Sequence, residues 1–198
     1  GFPSALTELG NDSNLNSSPT IADLNGDSSP EIIFGTQAGR VVAVRAKGTL
    51  MWSRSTGSVS VQSKPAVADI DGDGQLEVIV GAGSASVNGG GIHVISHTGQ
   101  LQCSFTALNP EHPQGMYASP SVGNLDPSTP GVLEIAVASF DFRFRVLRHN
   151  CTVWWEHDVD EYVVDSIWSS PSIVDLDRNG TLDIVIGADS NFHQLPGI

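Results

Sequence analysis

Three nine-residue stretches place acidic or amide side chains at positions 1, 3, 5 and 9. The first, DLNGDSSPE, has Asp23, Asn25, Asp27 and Glu31 at positions 1, 3, 5 and 9. The second, DIDGDGQLE, has Asp69, Asp71, Asp73 and Glu77 there, and the third, DLDRNGTLD, has Asp175, Asp177, Asn179 and Asp183. Together they hold ten of the chain's 22 acids. Carboxylates crowded this closely repel one another unless a cation neutralises them. A hard divalent ion with about six to eight oxygen ligands does so, and Ca²⁺ accepts irregular loop geometry better than the strictly octahedral Mg²⁺. In a tight loop, positions 1, 3 and 5 are expected to point inward together. The backbone carbonyl of position 7 (Ser29, Gln75 or Thr181) adds a ligand, and position 9 closes the cage from the next strand. Gly26, Gly72, Gly74 and Gly180 let the backbone curl round the ion. About three Ca²⁺ sites are expected.

Two rival readings are weaker. The helix-loop-helix calcium hand needs a glutamate at position 12, where this chain has Phe34, Val80 and Ile186. A metal-free Asx turn would explain one such loop but not three in the same phase. A fourth stretch departs from the pattern. It has Asn124, Asp126 and Ser128, the prolines Pro127 and Pro130, and a two-residue insertion that moves the acid to Glu134. This loop is expected to hold an ion weakly or not at all.

The loops sit in a repeat. SPTIADLNGDSSPEIIFGT from Ser18, KPAVADIDGDGQLEVIVGA from Lys64, SPSVGNLDPSTPGVLEIAVAS from Ser119 and SPSIVDLDRNGTLDIVIGA from Ser170 align. Their prolines, Pro19, Pro65, Pro120 and Pro171, step by 46, 55 and 51 residues. That brackets the ~40–50 residues of a four-stranded propeller blade. Each unit reads as a proline-led strand, the acidic loop, a continuous apolar strand such as EVIVGA, and a hairpin. VVAVRAKGTLMW from Val41 aligns without gaps with IHVISHTGQLQC from Ile92 and FRVLRHNCTVWW from Phe144. Lys47-Gly48 and Thr98-Gly99 make the turn, and Asn150-Cys151 replaces them in the third copy. Trp52, Cys103 and Trp155 share one outer-strand position, where packing between blades is expected.

The fold class is therefore all-β, with propeller blades of four antiparallel strands and almost no helix. The units run over about 18–63, 64–118, 119–169 and 170–198, the last incomplete, within a single partial propeller domain 1–198. Residues 1–17 have room for one strand of a preceding unit. About three and a half blades would expose edges that closed rings of ~4–8 blades protect. The expectation is a segment of a larger propeller, with completion by a partner chain as the second option.

Composition narrows the function. The 198 residues carry 9 Lys+Arg against 22 Asp+Glu, a net charge of −13, which argues against nucleic acid. No run approaches the ~18 apolar residues of a membrane span, and no basic start precedes an apolar stretch, so a signal peptide is expected to be removed or to lie outside the sequence. Two cysteines exclude a disulfide-dense scaffold and a four-cysteine zinc site.

The loops, their phase and the trailing FGT, VGA and IGA strands resemble the FG-GAP or VCBS-type calcium repeats of integrin α-chain propellers and of many secreted proteins. The resemblance covers roughly residues 18–190. It implies calcium between the first and second strands, away from the usual ligand-binding face, and it does not imply one activity. The hairpins are also similar to quinoprotein-type propeller repeats.

Other chemistry is sparse. His93, His97, His112, His149 and His157 show no catalytic or metal spacing, so surface or packing roles are expected. The nucleophile elbow, phosphate loop and haem attachment motifs are absent. The long connections 105–118 and 156–168 are candidate ligand surfaces for a protein or a glycan, the second with His157, four acids from Asp158 to Asp165, Tyr162 and Trp168. A Cys103–Cys151 bridge is open, since spacing alone does not fix the required Cα separation. Sequons occur at Asn11, Asn16, Asn150 and Asn179. The leading expectation is an extracellular, secreted or cell-surface, calcium-stabilised propeller with a structural, adhesive or recognition role and no catalysis. The alternatives are part of a carbohydrate-active enzyme such as a polysaccharide lyase, or a self-assembling subunit forming a homo-oligomer.

Overall fold

The computed structural model describes residues 14–15, 17–57, 60–84, 87–107, 115–158 and 168–187. The proline-led runs become short first strands, and the apolar runs become second strands, largely buried in the first three sheets and partly exposed in the fourth. The first sheet contains β1 (Thr20–Ala22), β2 (Glu31–Gly35), β3 (Arg40–Val44) and β4 (Leu50–Ser55). The second contains β5 (Ala66–Ala68), β6 (Glu77–Ser84), β7 (Val87–Ser96) and β8 (Leu101–Thr106). The third contains β9 (Ser121–Gly123), β10 (Glu134–Ala138), β11 (Arg143–Leu147) and β12 (Val153–Asp158). A fourth has only β13 (Ser172–Val174) and β14 (Asp183–Val185) among the described residues. Every sheet is an antiparallel meander in chain order, and the described residues contain no helix. The result is an all-β, propeller-type fold whose sheets do not close into a ring.

Successive first strands lie side by side and are stitched by hydroxyls. Thr20 Oγ1 donates to the Pro65 carbonyl at 2.6 Å, and Ser121 Oγ donates to the Pro171 carbonyl. The Lys64 N–H donates to Ser119 Oγ, and the Ser119 N–H to Ser170 Oγ, both at 2.9 Å. The cores lie between sheets. Leu24, Ile33, Val41 and Ala43 of the first pack with Val78, Val80 and Ile95 of the second. Ile79, Ile92 and Val94 pack with Ile135, Val137 and Leu147 of the third.

The hairpin turns share one geometry. The N–H of Gly48, Gly99 and Cys151 donates to the carbonyl of Arg45, Ser96 and Arg148, at 2.7, 2.9 and 2.9 Å. These three residues have φ of 78°, 85° and 65°, the left-handed region that favours glycine and that Cys151 occupies in the third copy. That cysteine is bonded to Cys103, with Cα atoms 5.9 Å apart, so a disulfide joins the second sheet to the third. Trp52, at the position equivalent to Cys103, joins the first sheet to the second through its indole N–H, which donates to the His97 carbonyl at 2.9 Å.

A second clamp pairs a serine with a glycine. Ser63 Oγ donates to the Gly81 carbonyl at 2.9 Å and accepts the Gly81 N–H at 2.8 Å. Ser17 with Gly35, and Ser169 with Gly187, repeat the arrangement. A Cβ on Gly81 would lie 2.7 Å from the Met116 carbonyl, and one on Gly35 would lie 2.4 Å from the Val61 carbonyl. The third copy changes both members together, to Ala118 and Ala138.

Two predictions follow from the packing. Gly81→Ala forces backbone apart at the contact between sheets and should destabilise by about 2 kcal/mol in urea denaturation. Burial, reinforced by the charge of Arg54, pushes the His93 pKa down to about 4. The unfolded imidazole binds its proton near 6.5, so the benefit of a neutral His93 is full above that pH. It is lost progressively as pH falls towards 4, by at most about 3 kcal/mol. His93→Gln should flatten the stability profile over this window, and an unchanged profile would contradict the assignment.

Candidate metal centre

Each acidic loop bridges the first strand of a sheet to the second, so its ends are fixed by that pairing: Ala22 lies opposite Glu31, Ala68 opposite Glu77, Val174 opposite Asp183. Position 9 is the innermost acid. Glu31 and Glu77 are both 1% exposed. Their Oε2 atoms accept the N–H of position 2, from Leu24 at 3.0 Å and Ile70 at 3.1 Å. Asp183 Oδ2 does the same for Leu176 at 3.0 Å. Position 1 holds the loop from the other side. Asp69 accepts the N–H groups of Gly72 and Gly74 at 2.8 and 2.9 Å. Asp23 accepts those of Asp27 and Ser28, and Asp175 those of Asn179 and Gly180. Gly72 and Gly74 have φ of 78° and 87°, the conformation that turns these amides inward.

Positions 3 and 5 make local Asx turns. Asn25, Asp71 and Asp177 accept the N–H two residues on, as do Asp27, Asp73 and Asn179. The structure brings Asp69, Asp71 and Glu77 together, with one carboxylate oxygen from each within 4.8 Å of the others, and likewise Asp175, Asp177 and Asp183. Oxygens on opposite sides of an ion bound at ~2.4 Å stand about 5 Å apart, so both clusters fit Ca²⁺. Asp73 is outside that convergence; its second oxygen accepts from Gln75 Nε2 at 3.1 Å. In the first loop Asn25 Nδ2 donates to Asp27 Oδ2 at 3.1 Å. In the fourth, Asn179 Nδ2 donates to Asp177 Oδ2 at 3.0 Å. The side chain of Thr181 donates to Asn179, while Ser29 and Gln75 lie exposed on the rim.

Charge repulsion is visible in the second loop. Burial raises the Glu77 carboxyl above its ordinary range, the Ile70 N–H opposes this, and the charges of Asp71 and Asp73 add to the rise. A divalent ion between these groups would relieve that cost.

The loop in the third sheet meets the same demand with a side chain. Arg148 reaches Asp126 Oδ2 at 3.3 Å, and Ser128 donates to the other carboxylate oxygen through Oγ at 2.6 Å. Ser128 first and Arg148 after it hold Asp126 below the usual carboxylate range. Glu134 is fully buried and accepts two N–H groups, from Leu125 at 2.8 Å and Asp126 at 3.1 Å. Its other oxygen and Asn124 Oδ1 are buried without a hydrogen-bond partner. Arg45, the equivalent of Arg148 in the first sheet, instead donates to the Leu50 carbonyl.

Sequence reading missed Arg148, and it missed a buried ion-pair network at the other end of the third sheet. There Arg145 donates to both oxygens of Asp141, at 3.0 and 2.6 Å, and to Glu156. Burial works against its charge, but these carboxylates hold its pKa above the ordinary value. Tyr117, Phe140 and Trp168 meet at the same end, opposite the acidic loops, with centroids 4.6 to 5.6 Å apart. Of the expected ligand surface, Asp160, Glu161, Tyr162 and Asp165 lie outside the described residues, as do His112, Asn11 and Asn16.

Residues 23–80, from the first aspartate of the first loop into the apolar run after the second, match the FG-GAP-like repeat. This stretch is an FG-GAP-like repeat. No curated protein matches the chain in sequence. Similar solved structures are propeller-type. The C-terminal domain of Pseudomonas aeruginosa PilY1 aligns at a TM-score of 0.66 and 18% identity, over 97% of this chain and 48% of that one. The V. cholerae biofilm matrix protein Bap1 aligns at 0.61 and 21%, over 87% and 28%. A Bacillus licheniformis rhamnogalacturonan lyase aligns at 0.58 and 17%, over 88% and 41%. The chain spans less than half the length of each, and at these identities the likeness is one of fold.

The position-9 carboxylate has a role separable from metal. Glu77→Ala leaves the Ile70 N–H buried and unpaired and should cost about 1–3 kcal/mol even in chelator. Glu77→Gln keeps an acceptor and should cost less. Equal losses in urea denaturation would contradict the assignment.

Proposed function

We propose that this chain is a calcium-stabilised extracellular propeller segment with a structural, adhesive or ligand-recognition role. The observation that carries the reading is the convergence of three carboxylates at equivalent places in the second and fourth sheets, in loops whose backbone is already closed by hydrogen bonds. Such a loop loses little entropy on binding an ion, and the ion ties the first strand to the second. Its binding free energy then adds to folding stability. The ligand set is Asp23, Asn25, Asp27 and Glu31; Asp69, Asp71, Asp73 and Glu77; and Asp175, Asp177, Asn179 and Asp183. The carbonyls of Ser29, Gln75 and Thr181 complete it, giving about three ions per chain. Arg148 keeps the loop of the third sheet free of a divalent ion by placing a fixed positive charge on Asp126.

An extracellular setting is supported by the Cys103–Cys151 disulfide, which persists in oxidising compartments, and by millimolar calcium there. No helix among the described residues is long and apolar enough to cross a membrane. The face opposite the ions, with Tyr117, Phe140 and half-exposed Trp168, is the place for a protein or glycan ligand. Lyases occur among the structural neighbours. The acid–base cluster of the third sheet does not favour that chemistry here, because Arg145 is buried and bound to Asp141 and Glu156.

Thermal unfolding tests the reading. Calcium should raise the melting temperature and excess chelator lower it, with the difference shrinking as pH falls and the carboxylates protonate. Asp71→Ala should remove most of one site, and Asp126→Ala should leave the calcium response nearly intact. Identical melting with calcium and with chelator would refute the proposal.

A further inference from the structure

Two of the acidic loops carry an Asn–Gly step, Asn25-Gly26 in the first and Asn179-Gly180 in the fourth. The second carries two Asp–Gly steps, Asp71-Gly72 and Asp73-Gly74. At such a step the glycine nitrogen can attack the side-chain carbonyl carbon of the residue before it, because glycine has no Cβ to hinder the approach. An amide tied to a carboxylate is a poor nucleophile. It must give up that bond, and the negative charge beside it opposes loss of its proton.

The loops differ on this point. Asp69 accepts the N–H of both Gly72 and Gly74, at 2.8 and 2.9 Å, and Asp175 accepts that of Gly180 at 3.0 Å. In the first loop Asp23 is engaged by Asp27 and Ser28 instead, at 3.1 and 2.8 Å. The Gly26 N–H has no acceptor among the described residues. Asn25 and Gly26 are exposed, and a Cβ added to Gly26 would meet nothing within 4 Å.

The electrophile is prepared as well. Asn25 Oδ1 accepts the Asp27 N–H at 3.0 Å, which stabilises the negative charge that grows on this oxygen as a nitrogen adds. Asn25 Nδ2, the leaving nitrogen, donates to Asp27 Oδ2 at 3.1 Å. Asn179 has matching contacts, from the Thr181 N–H at 2.7 Å and to Asp177 Oδ2 at 3.0 Å. The contrast between the two asparagines lies in the nucleophile.

We propose that Asn25 is a site of spontaneous covalent modification in the folded protein. The Gly26 nitrogen loses its proton to water and bonds to Asn25 Cγ. The Cγ–Nδ2 bond breaks, and Nδ2 takes up a proton and leaves as ammonia, closing a cyclic imide. Water then opens either C–N bond of the ring. One opening gives an aspartate, and the other an isoaspartate whose main chain runs through the former side chain. Nothing is oxidised or reduced, and water is the only co-reactant. The aspartate supplies at position 3 the carboxylate that Asp71 and Asp177 supply in the other loops, whereas the isoaspartate lengthens the loop and shifts its phase. This consequence for the ion rests on the calcium reading; the modification does not.

The test ages the full chain in chelator at mildly alkaline pH and follows each Asn–Gly step by peptide mapping. Isoaspartate is counted by enzymatic methyl transfer. The same measurement in concentrated urea gives the intrinsic rates, which should be comparable for Asn25 and Asn179. In the folded protein Asn25 should react about tenfold faster or more, the factor that one charge-assisted hydrogen bond on Gly180 represents. Asn25→Gln, whose longer side chain closes such a ring poorly, should remove the fast product. Equal rates in the folded chain, a slower Asn25 or an Asn25 that stays intact overturns the inference. Asn25→Asp, a mimic of one product, should show a larger calcium-induced rise in melting temperature than the unaged protein. A rise no larger overturns the consequence for the loop. The rates are read in chelator, so failure of the calcium reading leaves their ratio unchanged and the two failures are distinguished.

Discussion

The structure depends on a carboxylate, buried in the first three sheets and half-buried in the fourth, that closes the loop between the first two strands. Glu31, Glu77, Glu134 and Asp183 all accept the amide of the residue after the loop's first position. That residue is apolar: Leu24 and Ile70 are 3% and 1% exposed and enter the core between sheets. In the first two sheets one hydrogen bond therefore fixes the loop, seats a core side chain and commits a negative charge to the interior, whereas Leu176 of the fourth is 62% exposed. Further acids follow in the same loop, so each sheet needs a positive charge at one point. In the third sheet Arg148 meets that need from the hairpin turn. In the other three, on our proposal, a calcium ion does. A fixed guanidinium and a bound ion are two solutions to one electrostatic demand, and they differ in whether stability answers to the surrounding medium.

The remaining architecture repeats laterally. First strands are joined by hydroxyl-to-carbonyl bonds, and fourth strands are joined by an indole in one interface and a disulfide in the next. A neighbouring sheet is thus part of each sheet's folding environment, as in other repeat proteins where interfaces carry much of the stability. Trp155 and Val185, of the third and fourth sheets, are 48% and 45% exposed, whereas Ile33 and Ile79, equivalent to Val185, are fully buried.

Much of this was legible in the sequence, because the repeat supplies its own alignment. The strands, the hairpins and the shared position of Trp52, Cys103 and Trp155 follow from matching four segments. The acidic loops were legible for the same reason, since their carboxylates recur in one phase, and the structure brings three of them together in the second and fourth sheets. Features made by residues distant in the chain were not legible. Arg148 lies 22 residues from Asp126 and is equivalent to Arg45, which points elsewhere. The Ser63–Gly81 clamp left a signal in the paired change to Ala118 and Ala138, but its meaning depends on the backbone of the next sheet. Asp73 has the same phase as Asp71, and the bond from Gln75 Nε2 to its second oxygen is a feature that spacing alone does not reveal.

Anomalous diffraction from crystals grown in calcium and briefly soaked in a lanthanide tests the central claim most directly. The account predicts peaks among Asp69, Asp71 and Glu77, among Asp175, Asp177 and Asp183, and in the loop of Asp23. It predicts none beside Asp126, where Arg148 lies. Peaks absent from all four loops, or as strong at Asp126 as at Asp71, would contradict it.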